Sequence, residues 1–147
     1  MILRDILKCE TREQFEALAL QYMDEVFSLF APLEALLDRN ILSQDVSSIE
    51  LHMSAVESWR NRVARQLAFA TAGLEIAKSS RYLPAPAKGV TESIREGIKR
   101  ELAAPWSAVC LYLSELIRSV DSRVNLCKKQ LGVEFEGVRL APSGRAA

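Results

Sequence analysis

Apolar residues recur at helical steps along most of this chain, and three stretches carry the pattern. In the first, Phe15, Leu18, Ala19, Tyr22, Val26 and Leu29 fall on one face of a helix. Thr11 and Gln14 stand at capping-box spacing, so the helix is expected to start at Thr11. Pro32 removes a backbone donor and is expected to interrupt it, with a short helical piece reaching Leu37 and a connection from Asn40 to Ser48. The second stretch places Val56, Trp59, Val63, Leu67, Ala70, Leu74 and Ala77 at steps of three and four. Ser47 with Glu50 repeats the capping signature, and Pro84 and Pro86 mark the far end, which predicts one helix over about 48–81.

The third stretch starts at Thr91, a helix cap, with Glu92 near the positive end of the helix dipole. Its stripe is Ile94, Ile98, Leu102, Pro105, Val109, Leu113, Leu116, Val120, Val124, Cys127 and Leu131. The spacing repeats every eleven residues, a period that keeps the stripe nearly straight along the helix. Pro105 is expected to kink or locally unwind it, and Gly132 to stop it. Beyond Gly132 the partly alternating Val133, Phe135, Val138 and Leu140 suggest a short strand or an extended arm, and the last residues (APSGRAA) a flexible end.

The expected fold is therefore all-α: a long antiparallel helical hairpin, about 48–81 and 92–131, with an N-terminal helix packed on it. The chain divides into an acidic helical segment (1–47), the hairpin (48–131) and an extended C-terminal arm (132–147). Ile76, Trp106, Leu111, Tyr112 and Ile117 lie off the main stripes. The first helix can cover part of that surface, and the remainder is expected to meet another copy, giving a homo-oligomeric bundle or ring.

Charge changes the picture more than composition does. Net charge is zero, from 19 basic and 19 acidic residues, yet residues 1–59 sum to −7, residues 60–100 to +6 and residues 101–147 to +1. No apolar run is long enough to cross a bilayer, and Met-Ile-Leu-Arg-Asp at the start does not read as a secretion signal. Cys9, Cys110 and Cys127 form no framework, which suits a reducing compartment, so the cytoplasm is the expected location.

Chemistry is narrowed mainly by exclusion. His52 is the single histidine, so a His–His metal pair and most His-dependent triads are ruled out within one chain. The cysteines have no metal-ligand spacing, and neither a P-loop nor a G-x-G-x-x-G phosphate cradle is present. No enzyme activity, catalytic residue, metal or cofactor is expected.

The basic middle is the strongest feature. Lys78, Arg81, Tyr82 and Lys88 surround the hairpin turn, and Arg95, Lys99 and Arg100 begin the returning helix. Antiparallel packing brings both sets to one end, cations beside an aromatic ring. Such a cluster can neutralise phosphates, and Tyr82 can stack on an unpaired base. The competing reading makes Tyr82 a ring that closes the hairpin end. Arg60, Arg62 and Arg65 form a secondary basic cluster upstream.

Residues 48–131 resemble the phage recombination mediator proteins of the UvsY type. The resemblance rests on a long helix ending in Ala77-Lys78 and then Tyr82, a glycine-containing turn, a capped second helix, and the ending Leu116, Val120, Ser122-Arg123 and Leu126. It implies a ring-forming helical protein that binds single-stranded DNA and helps load a recombinase onto DNA coated by a single-strand-binding protein. The family's basic contacts would map to Lys78 and Arg81, with Ser122-Arg123 near the other end of the hairpin. Pro105 departs from that pattern, and segments 1–47 and 133–147 have no counterpart. Two other readings stand beside it: a structural or assembly protein whose charges serve solubility and register, and a small subunit that docks on a larger nucleoprotein machine through its acidic head.

Overall fold

The computed structural model describes residues 3–42 and 44–140. They form four helices, α1 (Leu3–Leu7), α2 (Arg12–Leu37), α3 (Val46–Lys78) and α4 (Glu92–Leu140), and one isolated bridge between Ala87 and Val90. The fold is all-α. No helix among the described residues is long and apolar enough to cross a membrane.

The start of α2 follows from its sequence. Thr11 Oγ1 accepts from the Gln14 amide at 3.2 Å, and Gln14 Oε1 accepts in return from the amides of Glu10 and Thr11. Pro32 does not interrupt the helix, which runs unbroken to Leu37. The proline leaves the Ser28 carbonyl without its helical donor, but Ser28 lies at the exposed surface, where water can serve it. Phe30 and Leu33, on either side of Pro32, are fully buried. Each anchors the helix by about 2 kcal/mol, which together outweighs the roughly 3 kcal/mol a proline costs. The buried face is therefore Phe15, Ala19, Tyr22, Val26, Phe30 and Leu33, and Leu29 is exposed.

The cap of α3 is Asp45 rather than Ser47. Its carboxylate accepts from the Ser48 amide at 2.7 Å, a bond that also lowers its pKa. The helix ends at Lys78, three residues before the expected boundary, because Ser79 turns extended and its hydroxyl bonds back to the Ile76 carbonyl. The loop then tightens at Gly89, whose φ of 93° favours glycine. Thr91 Oγ1 accepts from the Ile94 amide and opens α4.

α3 and α4 form the predicted antiparallel hairpin and share the largest interface. Arg60 lies across from Asp121, Thr71 from Cys110, and Gly73 from Trp106. In that register α4 begins about ten residues beyond the end of α3. Beside the overhang lie Arg81, Tyr82, Leu83 and Pro84 of the 79–91 loop and Glu10 and Arg12 at the start of α2, around Ile98.

α4 stays helical through Pro105, so the expected unwinding does not occur. The residue that enters the core is Trp106, fully buried against Phe15 and Tyr22, while Pro105 is half-buried. Gly132 does not stop the helix, and residues 133–140 are helical rather than an extended arm or strand. Gly132 keeps a negative φ instead of the left-handed conformation of a C-terminal cap, so it acts as an interior glycine costing about 1 kcal/mol. The final segment, Ala141 to Ala147, lies outside the described residues.

The main core runs from Ile6 and Tyr82 at the hairpin tip to Val124. A smaller cluster of Ile41, Ile49, Cys127 and Leu131 closes the opposite end.

Candidate functional site

The residues singled out from sequence gather where expected in the chain: Lys78 ends α3, Arg81, Tyr82 and Lys88 are in the loop, and Arg95, Lys99 and Arg100 are on the overhanging turns of α4. They differ sharply in availability. Lys78, Lys88 and Arg100 are exposed and have no ion-pair partner among the described residues. Arg95 pairs with Glu92 at 3.0 Å and is largely covered, its side chain only 18% exposed. Lys99 pairs with Glu96 at 3.2 Å. These two cations are thus partly neutralised by acids one helical turn away.

Tyr82 closes the hairpin end and is not a free stacking platform. Its ring stacks on Phe15 with centroids 4.7 Å apart, it is 8% exposed, and its hydroxyl donates to the Cys9 carbonyl at 2.7 Å. Burial raises its pKa, offset in part by the Arg81 cation. The reason is the neighbouring chain: Phe15 and Cys9 belong to the acidic segment, which sequence alone does not place on the tip. Arg81 crosses the Tyr82 ring at 5.5 Å and donates to the carbonyls of Leu7 at 3.1 Å and Cys9 at 3.4 Å. Arg12, from the first turn of α2, bridges Glu16 and Glu101 and ties that segment to α4.

The secondary cluster does not come together. Arg60 reaches Asp121 with two bonds, at 2.9 and 3.2 Å. Arg62 instead lies 4.9 Å from the centre of the Trp59 ring, on the side of α3 where Trp59 meets Phe30 of α2. Residues two apart on a helix do not face each other, and of the three Arg65 is exposed with no ion-pair partner among the described residues.

Two features escape the sequence reading. Arg123 donates to the carbonyls of Leu37 and Arg39, satisfying the C-terminal end of α2. It is thereby engaged within the fold, and its spacing in the sequence gives no sign of this. The second is a concavity of about 530 Å³ beside the 38–45 connection, lined by Arg39, Asn40, Ile41, Leu51 and His52 among others. His52 is 7% exposed, and neither ring nitrogen has a hydrogen-bond partner among the described residues. Burial lowers its pKa, and the Arg123 and Arg39 cations lower it further. Both nitrogens are sealed from solvent, so the ring presents no donor or acceptor to the concavity.

Among the described residues no group of three or more His, Cys, Asp or Glu side chains is placed to hold a metal ion. Burial raises the pKa of all three thiols, Cys9, Cys110 and Cys127, which disfavours the reactive thiolate. No protein-family model, curated protein or solved structure matches the chain.

Proposed function

We propose that this chain is a non-enzymatic accessory protein that oligomerises and binds single-stranded nucleic acid, acting as a recombination mediator of the phage or prophage kind. The observation that carries this reading is the set of exposed, unpartnered cations at one end of the hairpin, Lys78, Lys88 and Arg100. Three cations on one short surface neutralise few phosphates, so a single chain binds weakly. Several copies presenting the same tip multiply the contacts through effective concentration. Apolar residues on the outside supply the means of assembly: Leu20 is 55% exposed, Leu111 65% and Leu51 73%. In this role the assembled tips hold the strand while a recombinase displaces a single-strand-binding protein.

A different observation favours the second reading, a structural or assembly protein without nucleic-acid affinity. The Glu92–Arg95 and Glu96–Lys99 pairs and the burial of Tyr82 make the tip less basic and less aromatic than its sequence suggests.

Light scattering together with a fluorescence-anisotropy titration of a labelled single-stranded oligonucleotide separates the two. The mediator reading expects a defined oligomer that binds at low salt and releases as salt rises. A defined oligomer with no affinity at any salt supports the assembly reading instead.

A further inference from the structure

The donors of Arg81 and Tyr82 are directed at the main chain of residues 3–10 rather than at solvent. Arg81 donates to the carbonyls of Leu7 and Cys9, and the Tyr82 hydroxyl donates to the same Cys9 carbonyl. Two carbonyl oxygens thus gather three donations from a guanidinium and a phenol. A phosphodiester offers oxygen acceptors that also carry a full negative charge, so it adds an ion pair and a bidentate fit to the bonds the guanidinium now makes to neutral carbonyls. We propose that residues 3–10 form an autoinhibitory latch on the hairpin tip, their carbonyls occupying the donors that a nucleic-acid backbone would otherwise take. The inference rests on the nucleic-acid reading above and assigns the regulation of that same surface.

The latch is built to open. α1 has only five residues, far below the roughly 12 needed for a helix to persist alone. Its hold on the rest of the fold is correspondingly narrow: Ile6 is fully buried and Cys9 nearly so, while Leu3 and Leu7 are about half exposed. Segments with few buried contacts open locally at a small fraction of the global unfolding free energy. The start of α2 is anchored separately, through Phe15 in the core and Arg12 on Glu101, so residues 3–10 can leave without unseating it. On release, Arg81 joins Lys78, Lys88 and Arg100 as a free cation at the tip, and the Tyr82 hydroxyl becomes a donor beside it. The Tyr82 ring keeps its stack on Phe15, so the gain is in phosphate contacts and not in base stacking.

The test is a set of anisotropy titrations with a labelled oligothymidylate. It compares the full chain, a form lacking residues 1–10, Ile6→Ser in the full chain, and each of these with Arg81→Ala. If the latch is open about a tenth of the time, its removal or loosening tightens binding roughly tenfold, and Arg81→Ala abolishes that gain. Amide exchange of the unaltered chain gives a second readout that needs no variant: saturating oligothymidylate speeds exchange within residues 3–10. Binding by the full chain that neither the deletion nor Ile6→Ser changes, with exchange in residues 3–10 unaltered or slowed, overturns the latch and leaves the nucleic-acid reading standing. No binding by any form at low salt overturns both.

Discussion

The indole of Trp106 lies so close to the backbone of Gly73 that a methyl group there would meet its Cε3 atom at 2.2 Å. Trp106 is the largest fully buried side chain, and it also stacks on Phe15 and Tyr22. One ring therefore joins all three long helices, and Gly73 is the notch in α3 that admits it.

Substituting Gly73→Ala is expected to destabilise the protein by about 3 kcal/mol, because neither the ring nor the α3 backbone has room to retreat. Trp106→Ala opens a cavity and is expected to cost about 4 kcal/mol. The double variant should be less destabilised than the two losses combined, since the clash disappears with the ring. Urea denaturation of the four proteins measures this coupling. Additive losses would mean that the two residues do not share the contact.

This pair also marks where the sequence is readable and where it is not. Periodicity places the hairpin and most of its buried stripe, because a helix face that buries leucine and valine at steps of three and four has few alternatives. It does not distinguish Pro105 from Trp106, or Leu29 from Phe30, since each pair differs by one position and the choice depends on which neighbouring helix arrives. Breaker residues mislead for a related reason. Pro32, Pro105 and Gly132 all lie inside helices, and at the two prolines tertiary burial exceeds the local penalty. At the candidate site the positions of the cations follow from topology, but their occupancy does not. Nothing in the sequence tells that Arg81 and Tyr82 bond to carbonyls some seventy residues earlier.

The capping box of α2 makes a local prediction. Thr11→Ala removes the acceptor for the Gln14 amide and should lower stability by about 1 kcal/mol. Thr11→Ser should restore most of it. Thermal unfolding followed by circular dichroism provides the comparison, and equal midpoints for all three proteins would show that the box is not needed.

Tyr82→Phe keeps the stack on Phe15 but deletes the donation to Cys9. Its expected cost is about 1 kcal/mol, borne mostly by residues 3–10. Hydrogen exchange should quicken there before it changes in α3 or α4. Uniform quickening across the hairpin would contradict that local role.

His52 gives the protein a pH dependence of definite sign. Its folded-state pKa lies below the unfolded value of about 6.5. The unfolded chain therefore binds more protons in the interval between them. The contribution of His52 is fully present well above about pH 6.5 and is lost as the pH falls through that value toward the folded-state pKa. His52→Leu should flatten that part of the profile. Denaturant midpoints measured from pH 7.5 to 5 test it, and an unchanged slope in the variant would assign the decline to other groups.

Binding of a single strand at the hairpin tip requires that the exposed tip cations contact phosphates. The salt dependence of oligonucleotide affinity answers this when the unaltered chain is compared with the triple variant Lys78→Ala, Lys88→Ala and Arg100→Ala. Each phosphate contact on a single strand contributes about 0.7 to the slope of log affinity against log salt. The triple variant is expected to bind more weakly, with a slope smaller by about 2 per chain engaged; equal affinity and equal slope in the two proteins would show that these cations do not hold the strand.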